Sequence, residues 1–373
     1  MEPKKIRVGI IGASPGRGWA ARAHVPALAA LPEYEITAVG TSRPESASAA
    51  ARQFGAAQAF TDARQLAEHP EVDLVVITVK VPAHAELVEA ALAAGKHVYC
   101  EWPLARTTDE ADTLTKSARS AGVHHAIGLQ ARYAPAIAYA RELVTGGHLG
   151  RVTSATVYAA RGKGAEGRIP AWAAYTLDRD TGAGTLEVAG GHTLDALQHL
   201  LGSISDVSAT LSLQHPVSTV AETGEVVEAT SPDHLLLNAT LVSGAVVSAH
   251  IHDAKKTDAR TRLEISGTKA DLAIVSTAAG GPAGIQIGEL RLLGTDASDA
   301  TWRELSIPSR YRWTSGIDPA AQGFNVAQMY ARLALDLRTG SRVVPDFDAG
   351  LRLHRLLDAI RLSAETGTRQ SVG

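Results

Sequence analysis

The sequence predicts an α/β protein with two domains: a doubly wound parallel sheet in residues 1–130 and an α+β domain with an open, mainly antiparallel sheet in residues 131–373. Two patterns carry this prediction. Up to about residue 128, short apolar runs alternate with helical patterns, which is typical of a parallel sheet with helices on both faces. Further on, alternating runs are separated by short turns such as Ser243-Gly244, which favours hairpins. A length of 373 residues also exceeds one ordinary domain.

The chain begins with a strand, a glycine turn and a helix. Ile6–Ile11 is an apolar, β-branched run, and Trp19–Leu31 has small and apolar residues at helical spacing. Between them lies a turn that contains Gly12, Ser14, Gly16 and Gly18. Glycines let a backbone approach a pyrophosphate, and a helix N-terminus supplies free N–H groups. Because Ser14 stands where the usual G-x-G-x-x-G pattern has its second glycine, a dinucleotide site and an ordinary strand-to-helix turn both fit.

The second strand favours the dinucleotide site. Tyr34–Gly40 alternates as a strand does and ends in Thr41, Ser42 and Arg43. A site that prefers NAD usually places a carboxylate here for the ribose hydroxyls, whereas a guanidinium can hold a 2′-phosphate with two parallel hydrogen bonds. The sequence therefore predicts NADP(H) as the preferred cofactor and NAD(H) as the second option, unless Arg43 is only a solvated loop residue.

The rest of the first domain continues the alternation. Predicted helices are Glu45–Phe54, Ala63–Glu68, Pro82–Ala94 and Thr108–Ala121, and predicted strands are Ala59–Phe60, Val72–Thr78, His97–Cys100 and Val123–Ile127. Ligands of such sheets bind beyond the carboxyl ends of the strands. The segments that follow the strands, among them Thr78–His84, Glu101–Leu104 and Gln130–Tyr133, are therefore the first candidates for a site.

The second domain is richer in strands. Predicted helices are Pro135–Val144, Leu186–Leu201, Ala320–Thr339 and Ala349–Thr366, and predicted strands are Arg151–Ala160, Val207–Leu213, His234–Leu241, Ala245–His250, Arg262–Ser266, Leu272–Val275 and Glu289–Leu293. An open sheet covers one face with its own helices and commonly uses the other against a second subunit. We therefore expect a homodimer or homotetramer that associates through this sheet.

Composition excludes several classes of partner. The net charge is −3 with no basic block, so nucleic acid is not an expected partner, and no apolar run is long enough to span a bilayer. The single cysteine, Cys100, fits a reducing cytoplasm. The histidine pairs His124–His125 and His250/His252 lack neighbouring Cys, Asp or Glu in a ligand pattern, so no metal is expected.

Four segments carry a resemblance to a known family: Lys80–His84, Ala94–Leu104, Gly182–Asp195 and Ile265–Leu272. In this order they strongly resemble the glucose–fructose oxidoreductase / inositol dehydrogenase / rhizopine catabolism (Gfo/Idh/MocA) family, over the whole chain. The resemblance implies an N-terminal Rossmann domain, a C-terminal α/β domain with the substrate pocket, and NAD(P)-dependent redox chemistry. Within the family the chain looks closest to the branch that includes the fungal repressor of galactose genes, which regulates without established turnover.

The sequence departs from the family pattern at two catalytic positions. The typical Glu-Lys-Pro reads Glu101-Trp102-Pro103, so the usual catalytic lysine is missing. The family's Asp, four residues before its catalytic His, aligns with Val188, and only Glu187 is adjacent. His192 and Asp195 match the family pattern.

Several residues are candidates for the chemistry of alcohol oxidation. His192 is the expected base, since an unperturbed imidazole titrates near working pH; the alternative is a histidine bonded to a backbone carbonyl. Lys80 is the second catalytic candidate, with cofactor-only and solvated roles open, and His84 binds cofactor or braces the Lys80 loop. The resemblance turns Glu101 toward the cofactor ribose or the pocket. Trp102 stacks on the nicotinamide or a sugar face, or only plugs the interior.

The predicted sites are therefore three sets of residues. The catalytic set is His192 and Lys80; the substrate set is Glu101, Trp102, Arg132, Arg161, Lys163, Trp172 and Asp195; the cofactor set is Gly12, Ser14, Gly16, Gly18, Trp19, Thr41, Ser42, Arg43, Lys80, His84 and Glu101. The function expected from them is an NADP(H)-dependent oxidoreductase that transfers hydride between nicotinamide and the hydroxyl or carbonyl of a sugar, glycoside or polyol. The alternative is a non-catalytic regulatory protein that binds NADP(H) and a sugar.

Overall fold

The structure is a computed structural model that describes residues 4–164, 166–253, 255–276, 284–296 and 299–372. The chain forms two compact units, Met1–Gln130 with Arg312–Arg352, and Ala131–Tyr311 with Leu353–Gly373. The first junction falls where the sequence placed the domain boundary. Residues 312–352, which the sequence-based division assigned to the second domain, instead belong to the first unit. The physical reason is an aromatic cluster: Tyr330 lies 5.4 Å from Tyr34 and 5.1 Å from Tyr99 between ring centroids, and all three side chains are buried.

Within the described residues the strands are β1 (Ile6–Ile11), β2 (Tyr34–Gly40), β3 (Gln58–Phe60), β4 (Leu74–Ile77), β5 (His97–Glu101), β6 (His125–Gly128), β7 (Val152–Ala160), β8 (Arg168–Ile169), β9 (Ile204–Ser212), β10 (Val217–Val220), β11 (Val226–Glu228), β12 (His234–Leu241), β13 (Val246–His252), β14 (Thr261–Gly267), β15 (Asp271–Ser276), β16 (Leu290–Asp296), β17 (Asp299–Glu304) and β18 (Gln370–Ser371). The α-helices are α1 (Val25–Ala29), α2 (Pro44–Phe54), α3 (Ala63–Glu68), α4 (His84–Ala93), α5 (Thr108–Ala121), α6 (Pro135–Thr145), α7 (Gly191–Leu201), α8 (Phe324–Thr339) and α9 (Phe347–Thr366).

The first unit contains the predicted doubly wound sheet. Its six strands are all parallel in the order β3-β2-β1-β4-β5-β6, the Rossmann order. All four residues of β4 are fully buried, as expected for a central strand covered on both faces. The carboxyl ends of these strands carry the segments that the sequence marked as candidate site loops.

A π turn, Ala20–His24, interrupts the helix predicted for Trp19–Leu31 and leads directly into α1. The backbone N–H of Val25 bonds to the carbonyl of Ala20, one residue further back than in an α-helix. His24 is the last residue of the π turn, and its side chain is completely buried. Such turns are frequent at functional sites, and this one places an imidazole in the interior of the first unit.

The second unit is built on a nine-stranded sheet in the order β17-β16-β15-β14-β7-β13-β12-β9-β18. Only the β7–β13 pair is parallel, so the predicted open and mainly antiparallel sheet is confirmed. Alternate residues of β12, such as Leu235 and Leu237, are buried, whereas Leu236 is 49% exposed. A smaller sheet, β11-β10-β8, lies in the same unit. A second π turn, Leu186–Gly190, precedes α7 and carries the chain into His192.

Candidate dinucleotide and substrate sites

The glycine turn after β1 needs glycine for two different reasons. Gly12 has a φ of +95°, and a Cβ built there would lie 2.9 Å from Thr78 Oγ1 and 2.9 Å from Val79 Cγ1. A side chain at Gly12 would therefore strain the backbone and collide with the segment after β4. Gly16 and Gly18 also have positive φ, but no atom lies within 4 Å of a Cβ built at either position. This part of the turn thus leaves its backbone open to close approach by a ligand.

Two neighbouring residues complete the turn. The N–H of Ser14 donates to the Gly12 carbonyl at 2.9 Å, so the serine in the place of the second glycine still belongs to a tight turn. Trp19 precedes the π turn, and its buried Nε1 has no hydrogen-bond partner among the described residues. An indole N–H can only donate, and a buried donor without an acceptor costs about 1–3 kcal/mol. The turn therefore combines exposed glycine backbone with the unused indole N–H of Trp19. A dinucleotide has phosphate and carbonyl oxygens that could accept hydrogen bonds from such donors.

The carboxyl end of β2 joins the turn through a backbone bond from the N–H of Gly12 to the carbonyl of Gly40, at 2.9 Å. Thr41 Oγ1 donates to the Arg43 carbonyl at 3.0 Å and shapes the segment. Ser42 and Arg43 are exposed, and Arg43 is the extended residue just before α2. The three residues after β2 thus offer hydroxyls and a guanidinium but no carboxylate.

The loop after β4 holds the two candidates Lys80 and His84. Lys80 is exposed and precedes a short 3₁₀ turn, Val81–Ala83. His84 is 1% exposed, and its ring nitrogens lie 2.8 Å from the Pro103 carbonyl and 3.1 Å from the Val79 carbonyl. Burial lowers the pKa of His84. With both ring nitrogens facing protein carbonyls, His84 joins the Lys80 loop to the segment after β5.

Glu101 ends β5 and belongs to a buried hydrogen-bond chain. His24 Nε2 lies 3.1 Å from Glu101 Oε1, and His24 Nδ1 lies 2.8 Å from the Tyr330 hydroxyl. With the carboxylate as acceptor, Nε2 carries the proton and the Tyr330 hydroxyl donates to Nδ1. A Cβ at Gly128 would lie 2.7 Å from Glu101 Oε1, so glycine in β6 makes room for the carboxylate. These contacts hold Glu101 in one place at the carboxyl edge of the sheet.

Trp102 and Gln130 follow strands β5 and β6. Trp102, which the resemblance places where the family has its lysine, is 5% exposed. Gln130 is 1% exposed, and its Oε1 has no hydrogen-bond partner among the described residues. Like Trp19, Gln130 offers an unused polar atom at the edge where dinucleotides bind.

In the second unit, His192 lies in the first turn of α7 and is 3% exposed. Its Nδ1 has no hydrogen-bond partner among the described residues, which argues against a histidine anchored to a carbonyl through that nitrogen. Burial, together with the positive charge of Arg161, lowers the pKa of His192 to about 3. The structure therefore differs from the expectation of an imidazole that titrates near working pH: the ring is neutral, and its buried Nδ1 has no partner among the described residues.

Arg161 follows β7 and is held by a buried carboxylate. Its Nε and Nη2 lie 2.5 Å and 2.6 Å from the two oxygens of Asp253, and Thr185 Oγ1 donates to Asp253 at 2.7 Å. Burial, the largest single cause, would raise the pKa of Asp253, but the charge and hydrogen bond of Arg161, the Lys163 charge and the Thr185 hydrogen bond together lower it. Since Thr185 precedes the π turn that leads to His192, this group ties the start of that helix to the sheet.

Arg132 and Asp195, both predicted to bind substrate, bind each other. Arg132 Nε and Nη2 lie 2.9 Å and 2.5 Å from the Asp195 oxygens, and Asp195 is 3% exposed. The pair joins the segment before α6 to α7. Glu187, the neighbour of the position where the family has Asp, is likewise occupied, since its Oε1 lies 2.6 Å from Arg361 Nη2.

The two remaining substrate candidates, Lys163 and Trp172, differ in how far their side chains are exposed. Lys163 is partly buried and donates to Thr176 Oγ1 at 2.5 Å, and burial lowers its pKa to about 8. Trp172 is 62% exposed. Lys163 therefore belongs to the interior of the second unit, whereas Trp172 lies at its surface.

Several partners were missing from the sequence-based sets: His24, Tyr330, Thr176, Thr185 and Asp253. A histidine five residues after a predicted helix start gave no signal of its own, because the π turn that buries it cannot be seen in the sequence. Asp253 could have been recognised as a candidate, because it comes just after a predicted strand and next to the His250/His252 pair.

Two further properties bear on the class of protein. Among the described residues, no group of three or more His, Cys, Asp or Glu side chains is arranged to hold a metal ion. No helix in the described ranges is long and apolar enough to cross a bilayer.

Comparison with known proteins matches both parts of the chain. Residues 6–129 match the family model "Oxidoreductase family, NAD-binding Rossmann fold", and residues 135–276 match the model "Gal80p, C-terminal domain". The fold and these matches define an NAD-binding Rossmann protein of the oxidoreductase class.

Three relatives place it more closely. The galactose/lactose metabolism regulatory protein GAL80 of Saccharomyces cerevisiae is 31% identical over 79% of this chain and 72% of its own length. Dehydrogenase aclE of Aspergillus oryzae is 37% identical over 59% of this chain, and the match spans 61% of that relative. The solved structure of a levoglucosan dehydrogenase in complex with NADH is 25% identical with a TM-score of 0.85, over 99% of this chain and 100% of that one. The chain belongs to the Gfo/Idh/MocA family, in a branch with Gal80.

Proposed function

We propose that the protein is an oxidoreductase that prefers NADP(H) and interconverts a hydroxyl and a carbonyl group of a carbohydrate-like substrate. The observation that carries the proposal is His192, a buried neutral imidazole with an unused Nδ1. It occurs in a chain whose first unit has a glycine turn open to a dinucleotide. Named dehydrogenases among the relatives support the same reading.

A neutral His192 acts first as a hydrogen-bond acceptor. At neutral pH its lone pair can receive the hydroxyl proton of a substrate, and a bound nicotinamide would supply the carbon that exchanges hydride. With a pKa of about 3, the imidazole is a weak base, and its protonation at pH 7 costs about 5 kcal/mol. A negatively charged oxygen beside the ring would raise that pKa again, so proton uptake is favoured as alkoxide character develops.

Arg161 is the second element of the proposed chemistry. Its positive charge acts electrostatically on His192 and, after burial, is the second cause of the lowered pKa of that imidazole. The field that disfavours an imidazolium favours an alkoxide at the same place. We propose that this field replaces part of the stabilisation that the family obtains from the lysine absent at Trp102, and that exposed Lys80 contacts the cofactor.

The preference for NADP(H) rests on the segment after β2. Arg43 is exposed, extends from the residue before α2, and has no acidic neighbour in Thr41 or Ser42. A carboxylate would repel a 2′-phosphate, whereas a guanidinium can pair with two of its oxygens.

A second candidate function is a non-catalytic regulator that binds NADP(H) and a sugar. It is favoured by the similarity to the regulatory protein GAL80 over 79% of this chain. A buried tryptophan in the lysine position supports the same candidate, because Trp102 can neither transfer a proton nor carry charge.

Turnover separates the two candidates. Purified protein is mixed with NADP⁺, NADPH, NAD⁺ or NADH and a panel of sugars, glycosides, polyols and their keto forms, and nicotinamide absorbance is followed. The oxidoreductase should give a saturable rate that falls by at least about a hundredfold in His192→Gln, the scale of a lost general base. His148→Gln, which changes an exposed histidine of the same unit, is the matched control.

Cofactor binding is measured beside turnover, by the quenching of tryptophan fluorescence. Unchanged turnover in His192→Gln would remove His192 from the mechanism. Tight cofactor binding without turnover across the panel would favour the regulator, and failure to bind either cofactor would refute both candidates.

A further inference from the structure

A polar cavity lies within the second unit, beside the Arg161–Asp253 pair. Its volume is about 40 Å³, and its polar lining includes Lys163, Thr176, Thr185, Ser218, Ser231 and Asp253. Such a volume holds about three water molecules or one very small solute. It is far below the roughly 300–1,000 Å³ of pockets for drug-sized ligands, so the cavity suits a ligand much smaller than a sugar.

One carboxylate of the lining already has its cation. Asp253 is 4% exposed and is paired through both oxygens with Arg161, and it also accepts the Thr185 hydroxyl. Its charge and its lone pairs are therefore used by protein groups rather than by the cavity.

Asp233, the other carboxylate that lines the cavity, is equally occupied. It accepts the backbone N–H groups of Gln214 and His215 at 2.9 Å, and the Nδ1 atoms of His215 and His234 lie 2.8 Å from it. These four contacts surround both oxygens of the carboxylate.

Lys163 is different, because its ammonium keeps unused donors. An ammonium has three N–H donors, and the hydrogen bond found for Lys163 within the described residues is the one to Thr176 Oγ1. The Thr176 hydroxyl passes its own proton to the Ala173 carbonyl at 2.7 Å. Ser218 and Ser231 are 3% and 6% exposed and line the same cavity. The cavity thus combines a cation with two hydroxyl groups.

These donors require acceptors, and the Lys163 charge favours an anion, because Asp253 and Glu187 offset it only in part while each is paired with its own arginine. A buried cation without a counter-ion is costly, and hydrogen bonds to charged groups are the strong ones. We propose that the cavity binds one small carboxylate anion of formate or acetate size, held by the Lys163 ammonium and the hydroxyls of Ser218 and Ser231. Because Thr185 also lines the cavity, the anion stabilises the segment that leads into α7. The site shares Asp253 with the Arg161 pair, but the proposal does not require that the protein be an oxidoreductase.

The charge of Lys163 gives the site a defined pH range. Its lowered pKa of about 8 leaves the amine mostly protonated at pH 7. The groups that face it electrostatically are Asp253, Arg161 and Glu187, from the segments after β13, after β7 and before α7. Anion binding needs the charged amine, so affinity is present below about pH 8 and falls by up to about tenfold per pH unit above it.

The test uses sodium formate against sodium gluconate, an anion too large for the cavity, at constant ionic strength. At pH 7 the whole protein should show a saturable rise in its unfolding midpoint with formate beyond that with gluconate, and this difference should shrink by pH 10. In Lys163→Met the formate response should be lost or half-saturate at a concentration at least about tenfold higher. Lys116→Met, which changes a surface lysine that is 71% exposed, should respond as the wild type does.

A second measurement covers the case in which Lys163→Met does not fold. The line width of ³⁵Cl⁻ in the presence of wild-type protein should fall when formate displaces chloride from the cavity, and should not fall with gluconate. Equal responses to formate and gluconate in both measurements would mean that water alone fills the cavity, and would overturn the proposal. A formate response that survives in folded Lys163→Met would place any anion elsewhere, with the same consequence.

Discussion

Acid is expected to destabilise the second unit through His192. The side chain is 3% exposed, and burial with the nearby Arg161 charge lowers its pKa to about 3. An imidazole in the unfolded chain titrates near pH 6.5. Between these two values the unfolded chain binds one more proton than the folded chain at this residue, so stability falls as the pH falls below about 6.5.

The size of the effect follows from the pKa difference. Each pH unit below 6.5 costs about 1.4 kcal/mol, and integration from pH 7 to pH 5 gives a loss of about 2 kcal/mol for His192 alone. His192→Gln removes the titrating group and keeps a side chain of similar size. The difference in the free energy of unfolding between wild type and variant should therefore shift by about 2 kcal/mol in favour of the variant between pH 7 and pH 5.

Urea unfolding at both pH values measures this shift, with His148→Gln as the control for loss of an exposed histidine. If wild type and His192→Gln lose stability in parallel, His192 is not a buried neutral imidazole and the reasoning fails. An NMR titration of the ¹³C-labelled ring gives the same answer directly, because protonation of His192 above pH 5 in the folded state contradicts the lowered pKa.

Three further substitutions test other parts of the structure. Arg43→Ala should weaken NADP(H) binding by about 1–2 kcal/mol, or about five- to thirtyfold, in a fluorescence titration, and should leave NAD(H) binding nearly unchanged. Equal weakening of both cofactors would show that Arg43 does not bind a 2′-phosphate. Asp253→Asn leaves Arg161 without its counter-charge in the interior and should destabilise the protein by about 3–5 kcal/mol in urea unfolding, whereas a change below about 1 kcal/mol would mean that the pair is open to water. Leu236→Glu, on the half-exposed face of β12, should convert an oligomer to monomer by light scattering, while Leu335→Glu on α8, 42% exposed, should not; equal masses for both variants would place the interface elsewhere.

Elements defined by local signals were predictable from the sequence. The bounds of α3 and β12 coincide with the predicted ranges Ala63–Glu68 and His234–Leu241. Helix α5 ends at Ala121 as predicted but begins one residue earlier than the expected cap Thr108 implies, because Thr107 caps it and Thr108 is its first residue. A capping side chain fixes the start of each of these helices: Asp62 accepts the N–H of Arg64, and Thr107 accepts that of Glu110. Strand β12 alternates between buried and exposed residues along its whole length.

Other elements depended on contacts that the sequence does not display. Strands β8, β10 and β11 are two to four residues long, too short for a periodic pattern, and they form by pairing with each other. The π turns at Ala20–His24 and Leu186–Gly190 share the apolar spacing of ordinary helices. The assignment of α8 to the first unit depends on Tyr330, which meets Tyr34 and His24 some 300 residues earlier in the chain.

The residues of the candidate site likewise include some that the sequence could predict and some that it could not. The glycine turn and the segment after β2 are continuous in the sequence, so their residues could be named in advance. Ion pairs could not be foreseen, since Arg161 and Asp253 are 92 residues apart and Arg132 and Asp195 are 63 apart. The ion pair between Arg132 and Asp195, two residues expected to face a substrate, is one such contact.

The absence of the family lysine changes what the other residues have to do. Trp102 is buried and apolar, so any stabilisation of an alkoxide has to come from a charge that the sequence supplies elsewhere. In the second unit, burial and, after it, the Arg161 charge lower the His192 pKa, and Asp253 keeps Arg161 in place. A protein that only binds a cofactor and a sugar has no need of a buried histidine with an unused nitrogen in that field, because leaving a polar atom unpaired costs stability. The cost is explained if a substrate hydroxyl completes the site, and under the proposed function catalysis then depends on His192 and Arg161 rather than on Trp102.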